Sequence, residues 1–132
     1  MRKYNCFILI LAAFMIFFAS CKDDVDNRDA WVGTYVGDSD YHFSANGGAN
    51  TIDTVYLNDS LSVAKSGDNK MSFDYRGQSF LAECTAEGVF YYDDYPHGGF
   101  EGKFYGDSLK FITSESFQGR SVTYVFKGRK IK

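Results

Sequence analysis

The residues most suited to chemistry crowd into one stretch, "FYYDDYPHGGFEG", Phe90 to Gly102. It holds two adjacent carboxylates (Asp93, Asp94), an imidazole (His97), three phenols (Tyr91, Tyr92, Tyr95) and a glycine pair. As a metal site, Asp93, Asp94 and His97 would offer hard oxygens and one nitrogen. Asp-Asp-x-x-His is not a known ligand spacing, however, and the only other histidine is His42. No metal and no cofactor is therefore expected. As an acid/base pair the carboxylates fail on geometry. Neighbours on a strand point to opposite faces, so they would not flank one bond as a glycosidase requires. As a binding lip the stretch fits better. Tyrosines stack on sugars or apolar ligands, and aspartates accept hydroxyl hydrogen bonds. Tyr91, Tyr92, Asp93, Asp94, Tyr95 and His97 are the ligand-binding candidates on that reading. Against it stands a plain exposed hairpin loop, whose turn geometry alone would select Pro96 and Gly98-Gly99.

The rest of the chain offers less. "SANGGAN" (Ser44 to Asn50) is no phosphate loop, since no Lys-Ser/Thr follows and no helix begins there. Asp23, Asp24, Asp26 and Asp29 lack the ordered spacing and glycine of a calcium loop. There is no Gly-x-Ser-x-Gly, Cys-His pairing or Walker sequence. A non-catalytic protein is expected.

The elements that must position the candidate residues read as strands. From Trp31 onward no segment has helical periodicity, and short alternating runs recur between turn residues. "WVGTYVG" and "YHFS" come first, followed by the Gly/Asn-rich loop "ANGGAN". "TIDTVYL" and "SLSVAK" flank a turn expected at Asn58-Asp59. In "KMSFDYR" Met71, Phe73 and Tyr75 share a face. Arg76-Gly77 makes a tight hairpin into "QSFLAEC", where Cys84 alternates with Phe80 and Ala82 as a buried thiol. Phe100, Gly102 and Phe104 share a side of "FEGKFY", Gly106-Asp107 suits a two-residue turn, and Val122, Tyr124 and Phe126 stay in register in "SVTYVFKG". Eight or nine sequential strands with hairpin-length connections define an all-β antiparallel meander. Such a sheet hides its edges by closing into a small barrel.

The start of the chain has a different character. Met1-Arg2-Lys3 is basic, Phe7 to Ser20 is an uncharged run of 14 residues, and Cys21-Lys22-Asp23-Asp24 follows. That is the layout of a secretory signal, and the run is short of the roughly 20 residues of a membrane span. It resembles a bacterial lipoprotein precursor, with Ala19-Ser20-Cys21 as the lipobox and Phe18 where Leu is usual. The resemblance implies cleavage after Ser20, then diacylglyceryl and N-acyl chains on Cys21, which together anchor stably. Lys22-Asp23-Asp24 resembles the acidic export tag of surface lipoproteins of Bacteroidota. An outer-membrane lipoprotein facing the exterior is therefore expected. Residues 1–20 form the signal, 21–30 the lipidated cysteine and a charged tether, and 31–132 the domain.

Removing 20 of 132 residues leaves 112, enough for one domain. Loss of Arg2 and Lys3 takes the net charge from −3 to −5, and no Lys/Arg cluster remains, which argues against nucleic acid. With Cys6 lost and Cys21 lipidated, Cys84 has no disulfide partner within the chain. Nine Tyr, nine Phe and Trp31 remain. Each ring buries ~150–250 Å², so some must face a cavity or solvent.

Three segments give the domain a resemblance to the calycin-like, or lipocalin-like, small lipoproteins. "WVGTYVG" (Trp31 to Gly37) resembles the first strand that plugs one end of calycin barrels. "FEGKFYGDSLKF" (Phe100 to Phe111) resembles a hairpin of that family, and "VTYVFKGRK" (Val122 to Lys130) its closing strand. The resemblance implies a barrel in which Arg129 or Arg120 packs over Trp31. The expected role is binding of a small apolar or glycan-like ligand inside or at the mouth of the barrel. The rival is a partner-binding subunit of an envelope complex with a packed core.

Overall fold

The structure is a computed structural model that describes residues 26–94 and 98–131, with Asp93 and Asp94 described by backbone only. The elements are α1 (Arg28–Trp31), β1 (Gly33–Ala45), a 3-10 turn (Asn46–Gly48), β2 (Asn50–Lys65), β3 (Lys70–Tyr75), β4 (Gln78–Glu83), β5 (Val89–Asp94), β6 (Gly98–Tyr105), β7 (Ser108–Phe117) and β8 (Arg120–Lys130). They make one antiparallel sheet in the order β4-β3-β2-β1-β8-β7-β6-β5. Each strand pairs with the next in sequence, except β4 with β5, and β1 also pairs with β8, so the meander curls almost into a closed barrel. At the seam between β4 and β5 a single bridge, Cys84 to Phe90, joins the two edges. The two-residue turns lie where turn chemistry puts them. At Arg76-Gly77 both residues have positive φ (50° and 78°), as a tight hairpin demands.

Two expected breaks are absent. β1 runs unbroken from Gly33 to Ala45, joining "GTYVG" to "YHFS". β2 runs through Asn58-Asp59, which is a bulge and not a reversal. Gly37 faces Asp59, but Ser39 faces Tyr56, so one residue of β1 opposes two of β2. Asn58 takes the left-handed conformation (φ 55°) that this requires. The bulge switches the parity of β2. Val63, Leu61 and Asp59 face inward below it, and Tyr56 faces inward above it. Leu57, left on the outer face, is 70% exposed.

The barrel lumen is filled with rings. Phe73, Phe90, Phe104, Phe111 and Phe126 are buried with Tyr35, Leu61, Val63, Met71 and Leu109. Phe73 stacks on Phe90 at 4.2 Å and lies about 6 Å from Phe100, Phe104 and Phe111. Gly102 lacks a side chain because the Phe90 ring occupies the space that a Cβ would need. Cys84 packs partly buried against this core, and burial pushes its thiol up to about 11.

One end is plugged. The Trp31 ring lies flat on Phe104 (5.0 Å, 2°), and Tyr35 Oη donates to Trp31 O at 3.0 Å. Trp31 belongs to α1, ahead of β1. Neither expected arginine covers it. Arg120 sits at the opposite end, paired with Ala45 and Phe117, and strand alternation turns Arg129 outward. The cations beside α1 are Lys65, paired with Asp29, and Lys130, whose Nζ donates to Ala30 O at 3.0 Å. The segment read as tether up to residue 30 is docked from Asp26 on. Asp26 pairs with Arg28 at 2.8 Å and Lys65 at 3.2 Å, and Arg28 Nη1 donates to Gly67 O at 2.9 Å. Cys21 and the signal segment lie outside the described residues.

Candidate functional site

Among the described residues the other end is open and uneven. β1 and β2 span 13 and 16 residues, whereas β3, β4 and β5 span 6 each. β2 pairs with β3 only from Leu61 to Lys65, so its first eleven residues, Asn50–Ser60, rise above the barrel. They do so together with β1 and the ends of β7 and β8. The inner face of this tall wall carries Tyr41, Tyr56 and Tyr124, all partly exposed. Tyr41 lies 5.0 Å from Tyr124 and 6.1 Å from Tyr56. The short side reaches back to the wall through the β3–β4 turn. The Arg76 guanidinium sits 3.9 Å over the Tyr56 ring and 5.1 Å from Tyr124.

A hydrogen-bond network anchors this arrangement at the bulge. Asp59 Oδ2 accepts from Ser39 Oγ (2.6 Å), Tyr75 Oη (2.9 Å) and Arg76 Nε (2.9 Å). Its Oδ1 accepts from the Ser60 amide at 3.1 Å, and Tyr75 Oη also lies 2.7 Å from Ser39 Oγ. Burial works against the Asp59 carboxylate, but the bonds from Ser39, Tyr75 and Arg76 outweigh it and hold its pKa below the ordinary value. Burial pushes the Tyr75 phenol up to about 12. A carboxylate with three donors on one oxygen positions those neighbours.

Beside the tyrosines, across the β8–β7 boundary, lies a hollow of about 280 Å³ lined by Phe80, Tyr92, Phe100, Thr113, Glu115 and Phe117, among others. Thr113 pairs with Tyr124 in register, so hollow and tyrosine face adjoin. Gln78 Nε2 donates to Glu115 Oε1 at 3.2 Å and closes the rim. The volume is just below the ~300–1,000 Å³ of drug-sized sites, and it suits a ring-sized group. Larger depressions of about 520 and 710 Å³ lie at the β7–β8 turn and over the seam. Both open to the surface.

The expected lip residues separate. Tyr92 is at the mouth, with its ring 5.7 Å from Phe100. Tyr91 faces the outside of β5, 72% exposed, so strand alternation parts the two. The backbones of Asp93 and Asp94 end β5 opposite Gly99 and Gly98. Tyr95 and His97 lie outside the described residues. His42 is on the outer face of the wall, 2.6 Å from Asp53. Among the described residues no three His, Cys, Asp or Glu side chains converge as a metal site. Ser39, Tyr41, Tyr56, Asp59, Arg76 and Tyr124 were not singled out in the sequence. The in-register Val122-Tyr124-Phe126 pattern was the available signal for Tyr124. No protein-family model, curated protein or solved structure matches the chain.

Proposed function

We propose that this is an outer-membrane lipoprotein, anchored at Cys21, whose barrel binds a glycan-like ligand at its open mouth without catalysis. The observation that carries this reading is the division of the aromatics. Among the described residues rings crowd the lumen, while tyrosine rings with fixed polar neighbours remain partly exposed at the mouth. Sugars are recognised by that combination, with C–H faces on rings and hydroxyls on polar groups. The plugged end supports the same picture. Cys21 lies five residues before Asp26, and an extended chain of that length spans at most ~17 Å. The α1 end would then face the membrane and the mouth would face away. The eight-stranded meander and the Trp31 plug accord with a calycin-like resemblance.

A second reading has its own observation. The free edge of β2 above the barrel exposes Ile52, Val55 and Leu57, which an extended segment of an envelope partner could cover by strand addition. Native mass spectrometry of the protein purified from its own host's envelope separates the two. A co-purifying carbohydrate mass is expected; a co-purifying polypeptide with no carbohydrate would favour the partner reading.

A further inference from the structure

We infer that Arg76 makes the mouth selective for carboxylate-bearing sugars, an inference that rests on the glycan reading above. Every polar side-chain atom buried around Asp59 is already paired, and the described residues include no buried side-chain donor or acceptor without a partner. Arg76 differs. Its Nε is committed to Asp59 Oδ2 at 2.9 Å and the Tyr75 phenol lies beside the guanidinium, but among the described residues Nη1 and Nη2 bond no carboxylate or carbonyl. The guanidinium is held over the Tyr56 ring, 3.9 Å from its centre, by that bond and by the ring. Its remaining N–H donors are therefore held in place beside the tyrosine face.

A planar fork of this kind is best matched by a planar acceptor with two oxygens, and a carboxylate forms two parallel bonds where a neutral hydroxyl forms one. A sugar acid could lay its ring on Tyr41 or Tyr124 and its carboxylate against Arg76. Asp59 is positioning here, since its Oδ2 is given over to Ser39, Tyr75 and Arg76. Glu115, held by Gln78, gives the far rim a negative charge. That favours one carboxylate placed at Arg76 over a densely charged polyanion.

The test uses the full chain in mild detergent and two matched probe pairs. These are trigalacturonate with its methyl ester, and 3′-sialyllactose with lactose. Titration calorimetry should show at least one acid binding on the order of 10–100-fold tighter than its neutral partner, the range of a charge-assisted hydrogen bond. Arg76→Gln should erase that difference between each acid and its neutral partner. Arg76→Lys, which keeps the charge but not the fork, should lose most of it, and it serves as the folded control if the Gln variant melts early. Equal affinity within both pairs, or a preference that survives Arg76→Gln, overturns the inference and leaves mouth binding intact. Binding of no probe by the wild type, with a glycan found on the envelope-purified protein, overturns it too. Absence of any glycan in both experiments instead removes the reading on which it rests.

Discussion

Asp59 shows how much one carboxylate can organise. It gathers a strand serine, a core tyrosine and a turn arginine, each from a different strand or turn. Asp59→Ala would leave buried hydroxyls and a guanidinium without their acceptor, at a cost of about 1–3 kcal/mol, read from the denaturant midpoint. The pH dependence has a fixed sign. A carboxylate whose folded pKa is depressed adds stability above its unfolded value, ~3.9, and that stability is lost as pH falls through the folded value. Wild type should therefore lose more stability than Asp59→Asn between pH 5 and pH 2. An equal loss in both would mean that the network does not sustain the charge. Little of this was legible in the sequence. Asp59 and Tyr56 are odd and even positions on one strand, and alternation alone assigns them to opposite faces. Cys84 was legible, because no bulge separates it from Ala82 and Phe80.

At the scale of elements, the turns at Arg76-Gly77 and Gly106-Asp107 and the strand count followed from turn chemistry and alternation, but the turn expected at Asn58-Asp59 and the strand lengths did not. The run through Asn58 looked like two strands because Asn-Asp is common in turns. A bulge uses the same left-handed residue without reversing the chain. Asn58→Gly should be nearly neutral, whereas Asn58→Val should cost about 1–2 kcal/mol for a left-handed β-branched residue. Comparable denaturant midpoints for the two would count against the bulge. The seam is the weakest part of the sheet, with one bridge in place of a ladder. Hydrogen exchange, which reports opening over minutes to hours, should be fastest among strand amides at the facing edges of β4 and β5. Uniform protection around the barrel would contradict an open seam.

For the whole molecule, the decisive property is where space has been left. The sequence held more rings than one core needs, but whether the excess lay in a cavity, at a rim or outside depended on register. Register was hidden by the β2 bulge. With that bulge in place, Phe73, Phe90 and Phe111 fill the interior and the tyrosines line the mouth. Phe73→Ala should cost about 3–5 kcal/mol by emptying the centre of the ring cluster. The membrane tether is checked independently, since Cys21→Ser should release the protein from the membrane fraction. The division of labour between lumen and mouth is tested most directly by one comparison. It is the affinity of wild type, Tyr41→Ala/Tyr124→Ala and Phe73→Leu for a glycan recovered with the envelope-purified protein. Loss of at least about tenfold in the tyrosine variant, on the scale of aromatic stacking lost at two rings, with near wild-type affinity in Phe73→Leu, is the expected result. Unchanged binding in the tyrosine variant, with loss in Phe73→Leu, would place the ligand in the lumen and contradict the mouth as the site.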